Sequence, residues 1–422
     1  MKEESPKVTA YAIYALILLT LVYVLNFLDR TLIYILFAPI KKEFALSDTQ
    51  LALLGTTAFV IFYTVLGVPF GRMADKGSRK NLIAIGLAVW SLFSGLTGFA
   101  TDFWTLFFCR LMVGVGEATL GPAALSLLSD YFPPRYRATV SSIYSMGIAV
   151  GAGLAAFLGG YLGQNYGWRT AFFALGFPGL FLAVLVYFLR ENKRDAFAAN
   201  VDAIGENQTA KADWRVLLSS SPFIFLCVGY SLLGLATNNL SIWGATFFNR
   251  VNGFSILEIG FWGGVLTIFA GIPSTLLGGV FADYFGRKRR GGRFFYSSFL
   301  ALFSAPVWVV LIFSTNVFVI IAANFLLLFA ALAWLGAAAA DAQEIAGVKL
   351  RGVAIAIYFL SVNFAAYLFG SNLIGLLNDY LGATANPEMM RYALLVCPIA
   401  CVLSAICLFL GGRSLEKSRP ML

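Results

Sequence analysis

Apolar residues run almost unbroken for 20 or more positions at a time along much of this chain, and short polar stretches separate the runs. A helix rising about 1.5 Å per residue needs about 20 such residues to cross the hydrocarbon of a bilayer. The runs therefore predict transmembrane helices. Six fall near 11–37, 51–70, 82–100, 103–129, 138–162 and 170–189, and six more near 223–248, 257–281, 294–313, 317–340, 353–377 and 392–410. Between the two sets, 190–221 carries Glu191-Asn192-Lys193-Arg194-Asp195 and Gly205-Glu206-Asn207-Gln208 and is too polar to bury. A short surface helix is expected over 214–218. The pattern predicts an all-α membrane protein of about twelve helices, organised as a bundle over 1–189, a linker over 190–221 and a second bundle over 222–422.

Composition agrees with that class. Hydrophobic residues make up 59% and charged residues 12% of the chain, and the mean hydropathy is +0.81; a soluble domain carries about 25% charge. The net charge of +9 would suggest nucleic acid in a soluble chain. Here its distribution matters instead. If both termini are cytoplasmic, 23 of the 30 Lys and Arg fall on inner segments, while the outer loops hold Lys41, Lys42, Arg169, Arg250 and Arg391. Positive residues stay on the cytoplasmic side, so both termini and the linker are expected inside, and no nucleic-acid partner is expected. The two Lys near the N-terminus resemble a signal peptide, but the apolar run that follows is too long and lacks a small-residue cleavage site. Five Cys, at 109, 227, 397, 401 and 407, sit in apolar runs, so neither a disulfide nor a metal site is expected.

The two halves repeat one another. Gly71-Arg72-Met73-Ala74-Asp75-Lys76-Gly77-Ser78-Arg79-Lys80 follows the second run and Gly279-Val280-Phe281-Ala282-Asp283-Tyr284-Phe285-Gly286-Arg287-Lys288 follows the eighth. Arg135-Tyr136-Arg137 leads into Ile143-Tyr144 as Lys349-Leu350-Arg351 leads into Ile357-Tyr358. With its paired Gly-x-x-x-Asp loops and six-plus-six topology, the chain resembles the major facilitator superfamily. One departure is that the later glycine of the first loop falls one place early, at Gly77. Within that superfamily the first half resembles the spinster family of lipid transporters, through Asn26-Phe27-Leu28-Asp29-Arg30, Arg110-Leu111-Met112-Val113-Gly114-Val115-Gly116-Glu117-Ala118 and Trp168-Arg169. The resemblance implies transport of lysolipid- or sphingolipid-like molecules, a bacterial inner-membrane setting and a monomer surrounded by membrane lipids.

Intramembrane charges are the candidate chemistry. Each costs about 2.5 to 3.5 kcal/mol at a helix centre on insertion scales, so such groups face a bundle interior and a partner. Arg110 and Glu117 are seven residues apart, two turns along one helix face, and should share a cavity with Asp29 and Arg30. The chain has no His, so a proton relay needs carboxylates. Asp29 and Glu117 are the candidate proton carriers, with the proton as coupling ion and no cofactor; a permanent ion-pair network that only fixes packing is the plainer alternative. Arg30 and Arg110 suit an anionic substrate group. In the second half no ionisable residue is expected well inside a span, and Asn238, Asn239, Ser361 and Asn363 among many Phe offer a mixed amide and apolar wall. For each Asn an interhelical hydrogen bond serves as well.

The loop residues Gly71, Asp75 and Arg79 and their counterparts Gly279, Asp283 and Arg287 have a latching role by resemblance. Asp75 and Asp283 would accept hydrogen bonds at the N-termini of the eleventh and fifth spans, where the helix dipole favours an anion; inside-positive topology alone explains the basic residues but not the repeated Asp. Gly147, Gly151, Gly159 and Gly160 match either an antiporter motif or close helix packing. No nucleophile with a base and no metal cluster speaks for an enzyme. The expected function is proton-coupled transport of a small amphipathic, lipid-like substrate, with an organic-anion or multidrug transporter as the alternative.

Overall fold

The computed structural model describes residues 8–133, 136–191 and 215–417, and every regular element among them is helical. Eleven helical segments are long and apolar enough to cross a membrane: Ala10–Ile35, Asp48–Gly67, Arg79–Phe99, Thr139–Tyr166, Trp168–Tyr187, Ser221–Arg250, Ile256–Lys288, Gly292–Phe313, Val317–Gly347, Leu350–Tyr380 and Met389–Lys417. The fourth expected run is the missing one. It forms two helices, Phe103–Glu117 and Leu120–Tyr131, and neither alone reaches spanning length. Pro122 brings no N–H to continue the ladder across Ala118. The break is closed locally, with the Thr119 N–H 3.2 Å and the Thr119 hydroxyl 2.9 Å from the Gly116 carbonyl. Counting this broken helix as the fourth span gives twelve. Of the polar linker, only Arg215–Ser219 is a described helix, and 192–214 lies outside the described residues.

Two compact units are present. The first comprises Met1–Asn192 with Phe248–Ile268, and the second Lys193–Phe247 with Phe269–Leu422. In the first, the glycines of the fifth span seat its neighbours. A Cβ on Gly151 would lie 2.3 Å from the Val24 carbonyl of the first span, and one on Gly160 would lie 2.7 Å from Gly260 Cα of the eighth. Close packing therefore accounts for these positions. The second unit is built on a core of Phe223, Leu226, Tyr230, Phe294, Trp334 and Tyr358. Large apolar side chains such as Trp104, Phe181 and Phe269 face outward, as they must if the solvent is hydrocarbon.

The repeat runs through the backbone as well. Ala45 and Gly253, 208 residues apart, both hold left-handed φ angles, of 51° and 73°. Just beyond them the same offset relates Ser47 to Ser255 and Gln50 to Glu258, and each Ser receives a backbone hydrogen bond at a helix N-terminus while the acid or amide reaches back. Between Asp283 and Arg293 the chain carries six residues more than between Asp75 and Arg79, and the offset becomes 214. It then relates Arg79 to Arg293, Asp130 to Glu344 and Tyr144 to Tyr358. Both Arg79 and Arg293 pair with that carboxylate, at 2.5 Å and 2.9 Å.

Candidate ion and substrate site

Burial in the first unit gathers the four charges that the sequence singles out. Asp29, Arg110 and Glu117 are each 1% exposed. Arg30 donates to Glu117 Oε2 through Nε at 3.2 Å and Nη2 at 2.8 Å, and its guanidinium lies 5.0, 4.6 and 4.8 Å from the ring centres of Phe27, Phe59 and Tyr63. A cation over several aromatic faces gains from each ring quadrupole. The acid and base adjacent in sequence do not pair, because neighbours on a helix point about 100° apart.

Asp29 is partnered differently. Its Oδ1 accepts a 2.7 Å hydrogen bond from the Ser94 hydroxyl of the third span, and no ion pair of the described residues reaches its carboxylate. Arg110 donates Nη1 to the Asp29 backbone carbonyl at 3.3 Å, not to the carboxylate. The Nε and Nη2 atoms of Arg110 are buried and find no hydrogen-bond acceptor among the described residues. Two buried carboxylates are thus held in two ways, one by a guanidinium and one by a hydroxyl.

In the second unit Asn238 donates to the Gly234 carbonyl at 2.8 Å and accepts from the Tyr367 hydroxyl at 2.8 Å. Tyr367 stands in a π-helical stretch, Phe364–Gly370, directly after Asn363. Such stretches interrupt the regular ladder and often sit at functional sites. Asn239 is fully buried, donating to the Leu235 carbonyl at 2.8 Å, while its Oδ1 has no hydrogen-bond partner among the described residues. One expectation is corrected: the second half does bury an ionisable group inside a span. Asp341 is 1% exposed, in the helix that runs on past Ala340 to Gly347. It escapes a reading of apolar runs because it falls one residue beyond the run, and the seventh and ninth spans that cover it are remote in sequence.

The two Gly-x-x-x-Asp motifs are not loops: Gly71–Lys76 ends the helix Ala58–Lys76 and Gly279–Lys288 ends the helix Ile256–Lys288, and their residues divide. Arg79 is buried and bridges Asp130 at 2.5 Å and Glu191 at 2.8 Å. Burial works against the Glu191 carboxylate, but donation from the Ser78 hydroxyl and from the Arg79 side chain and N–H outweighs it, holding this carboxyl below its usual range. Asp283 is exposed and lies 3.5 Å from Arg293, and Arg287 is exposed near the end of the eighth span. The Asp75 side chain lies outside the described residues. A Cβ on Gly71 or Gly279 would meet nothing within 4 Å, so local crowding does not require glycine at either position. A further cluster has no signal in the sequence: Asp48, fully buried, takes both Arg250 Nη atoms at 2.6 Å and Lys41 Nζ at 2.5 Å.

Residues 19–304 match the model of the Major Facilitator Superfamily. The chain belongs to that superfamily. It is an integral membrane transporter and not an enzyme. It is 29% identical over 416 residues to an MFS-type efflux pump of Mycolicibacterium smegmatis, covering 94% of this chain and 92% of that one. It is 34% identical over 245 residues to human protein spinster homolog 1, spanning 46% of that relative's length. Its fold superposes on a bacterial homologue of the human lysosomal transporter Spinster, solved inward-facing and unoccupied, with a TM-score of 0.83 and 25% identity over 97% of this chain and 99% of that one. A D-xylose–proton symporter shares the fold at a TM-score of 0.72 and 17% identity, with 94% of this chain and 97% of that one covered. The spinster-like residues of this facilitator, Asp29, Arg30, Arg110 and Glu117, are the ones brought together in the first unit.

Proposed function

We propose that this facilitator is a proton-coupled secondary transporter of amphipathic, lipid-like molecules, with Asp29 as principal proton carrier and Glu117 as the second. The observation that carries the reading is the unequal partnering of the two buried carboxylates. A hydroxyl such as that of Ser94 donates to a carboxylate or accepts from a carboxylic acid, so Asp29 is satisfied in either protonation state. Glu117 is tied to a permanent cation, Arg30. A shift of Arg30 or Arg110 toward Asp29 then favours its charged form, and a shift of one pKa unit corresponds to about 1.36 kcal/mol. Small helix movements during alternating access between two six-helix halves, 1–189 and 222–422 joined by 190–221, suffice to load and release a proton. Both termini and the linker face the cytoplasm, the membrane is a bacterial inner membrane, and the working unit is a monomer. The Gly71–Arg79 and Gly279–Arg287 motifs, with Asp75 and Asp283, latch the cytoplasmic side.

The lipid-like substrate is supported by the spinster resemblance and by the side-chain chemistry of each unit taken by itself. In the first, Arg30 and Arg110 suit an anionic head group, and in the second, Asn238, Asn239 and Asn363 suit the polar part of an amphipathic molecule. An organic-anion or multidrug substrate is the second reading, favoured by the match to an efflux pump over nearly the whole chain. In proteoliposomes with an imposed pH gradient, Asp29→Asn is expected to abolish accumulation of a lysolipid while leaving some binding. Accumulation with unchanged pH dependence would overturn the role of Asp29. Uptake of a sugar acid or a cationic dye in place of the lysolipid would overturn the substrate class and leave the coupling reading intact.

A further inference from the structure

Asp341 takes no part in the site above, yet it is as deeply buried. Its Oδ2 lies 3.1 Å from the Tyr230 hydroxyl of the seventh span, and that hydroxyl lies 3.0 Å from Ser297 Oγ of the ninth. A phenol carries one proton and so donates to one of these neighbours at a time. With Asp341 charged, Ser297 donates to Tyr230 and Tyr230 to Asp341. With Asp341 protonated, the order runs the other way, from Asp341 to Tyr230 to Ser297. Asp341 and Tyr230 each keep a hydrogen-bonding partner in both states without rearranging the helices.

The groups around Asp341 allow the exchange. Arg293 of the ninth span is the cation facing it, with Nη1 at 4.0 Å from Asp341 Oδ1 but 2.9 Å from Glu344, one turn along the same helix as Asp341. Asp283 of the eighth span takes the other edge of the same guanidinium at 3.5 Å. One arginine is thus shared among three carboxylates and sits on the two exposed ones. From the seventh span Tyr230 and Cys227 face the cluster, and from the eleventh Tyr358, whose ring centre is 6.1 Å from that of Tyr230. Tyr230 itself belongs to a buried core that includes Trp334, Ala337, Ala338 and Phe294.

Packing does not require this polar group. Through the repeat, the first-half counterparts of Tyr230, Ser297 and Asp341 are Val22, Ile83 and Leu127, all buried. The same architecture therefore closes with three apolar side chains where the second half keeps a carboxyl, a phenol and a hydroxyl. A buried carboxyl inside a span is costly to retain, and here it stands beside a relay that serves both of its protonation states.

We propose that Asp341 is a second proton-binding site, separate from Asp29 and Glu117. A proton from water bonds to a carboxyl oxygen of Asp341 while Arg293 stays on Glu344 and Asp283; the proton returns to water as Arg293 moves in. Its place in a transport cycle rests on the proton-coupled reading above, whereas proton binding itself does not. The test is infrared difference spectroscopy of the full chain in lipid nanodiscs between alkaline and acid buffer. In the Asp29→Asn/Glu117→Gln variant a protonated-carboxyl band is expected to appear on acidification. Asp341→Asn should remove it, and Tyr230→Phe should displace its frequency and its midpoint. Absence of the band in that variant overturns the proposal, as does a band that survives Asp341→Asn or is unmoved by Tyr230→Phe. If the combined variant does not fold, loss of band amplitude in Asp341→Asn alone, against the unsubstituted protein, decides the same question. Failure of the Asp29→Asn transport test leaves this band in place, so the two readings fail separately.

Discussion

Asp29, Arg30, Arg110 and Glu117 in the first unit occupy positions whose counterparts in the second are Thr237, Asn238, Asn324 and Ala331. The exchange runs the other way at Val22, Ile83 and Leu127, which become Tyr230, Ser297 and Asp341. Between the halves the helix caps, the left-handed turn residues and the arginine–carboxylate pairs at Arg79 and Arg293 stay in register, while the buried charges do not. Backbone geometry and termini are what the repeat needs in order to fold. Buried charge is what each half adds at its own depth. The first half concentrates a paired carboxylate and a hydroxyl-bound one on two helices, and the second offers amides and, among its described residues, the buried acid Asp341 beside Tyr230.

Removing a partner on the charged side should have the largest effect. Arg30→Ala leaves Glu117 buried without its cation, a loss expected to cost about 3 to 5 kcal/mol, whereas Arg30→Ala with Glu117→Ala should cost less than the single change. Thermal unfolding in detergent reads both, and a double variant no more stable than Arg30→Ala would mean that the pair is not the reason the arginine is held. The same change should weaken substrate binding, because it removes a guanidinium from the site.

An intermediate effect is expected where the halves swap chemistry in the other direction. Asp341→Leu installs the residue of the first half and leaves the Tyr230 hydroxyl with Ser297 alone, and Tyr230→Phe takes the phenol donor from the buried Asp341 carboxyl. Groups in one hydrogen-bonded network couple by about 0.5 to 3 kcal/mol. The double variant should therefore be more stable than the sum of the single effects implies. Strict additivity in denaturation midpoints would show that Tyr230 and Asp341 do not act together.

The smallest effect concerns the shared arginine–carboxylate ends. Glu191 is held below its usual range in the folded chain, so its contribution is present above its unfolded pKa of about 4.3 and is lost as the pH falls through its lower folded value. Glu191→Gln should flatten the acid-side decline in stability and leave stability near neutral pH lower than in the parent protein. An identical acid slope in the variant would remove Glu191 from the network that seats Arg79.

Much of the fold was legible because a helix in hydrocarbon must satisfy its own backbone hydrogen bonds. Run length, the positions of Lys and Arg, and the doubled Gly-x-x-x-Asp motif are therefore enough to anticipate twelve helices in a repeat, and intramembrane Asp29, Arg30, Arg110 and Glu117 declare themselves by their cost. The partners do not. Arg30 reaches Glu117 across 87 residues, Ser94 reaches Asp29 across 65, and Arg250 reaches Asp48 across 202. These pairings depend on helix rotation and on close approaches such as Gly151 against Val24, which no local period records. The burial of Asp341 likewise arises where one helix meets another, whereas the break after Glu117 carries a local mark in Pro122. Local chain chemistry determined that these residues lie in membrane helices; side-chain packing between distant helices decided which charges meet, because the energy of a buried charge is set by the atoms around it and not by its neighbours along the chain.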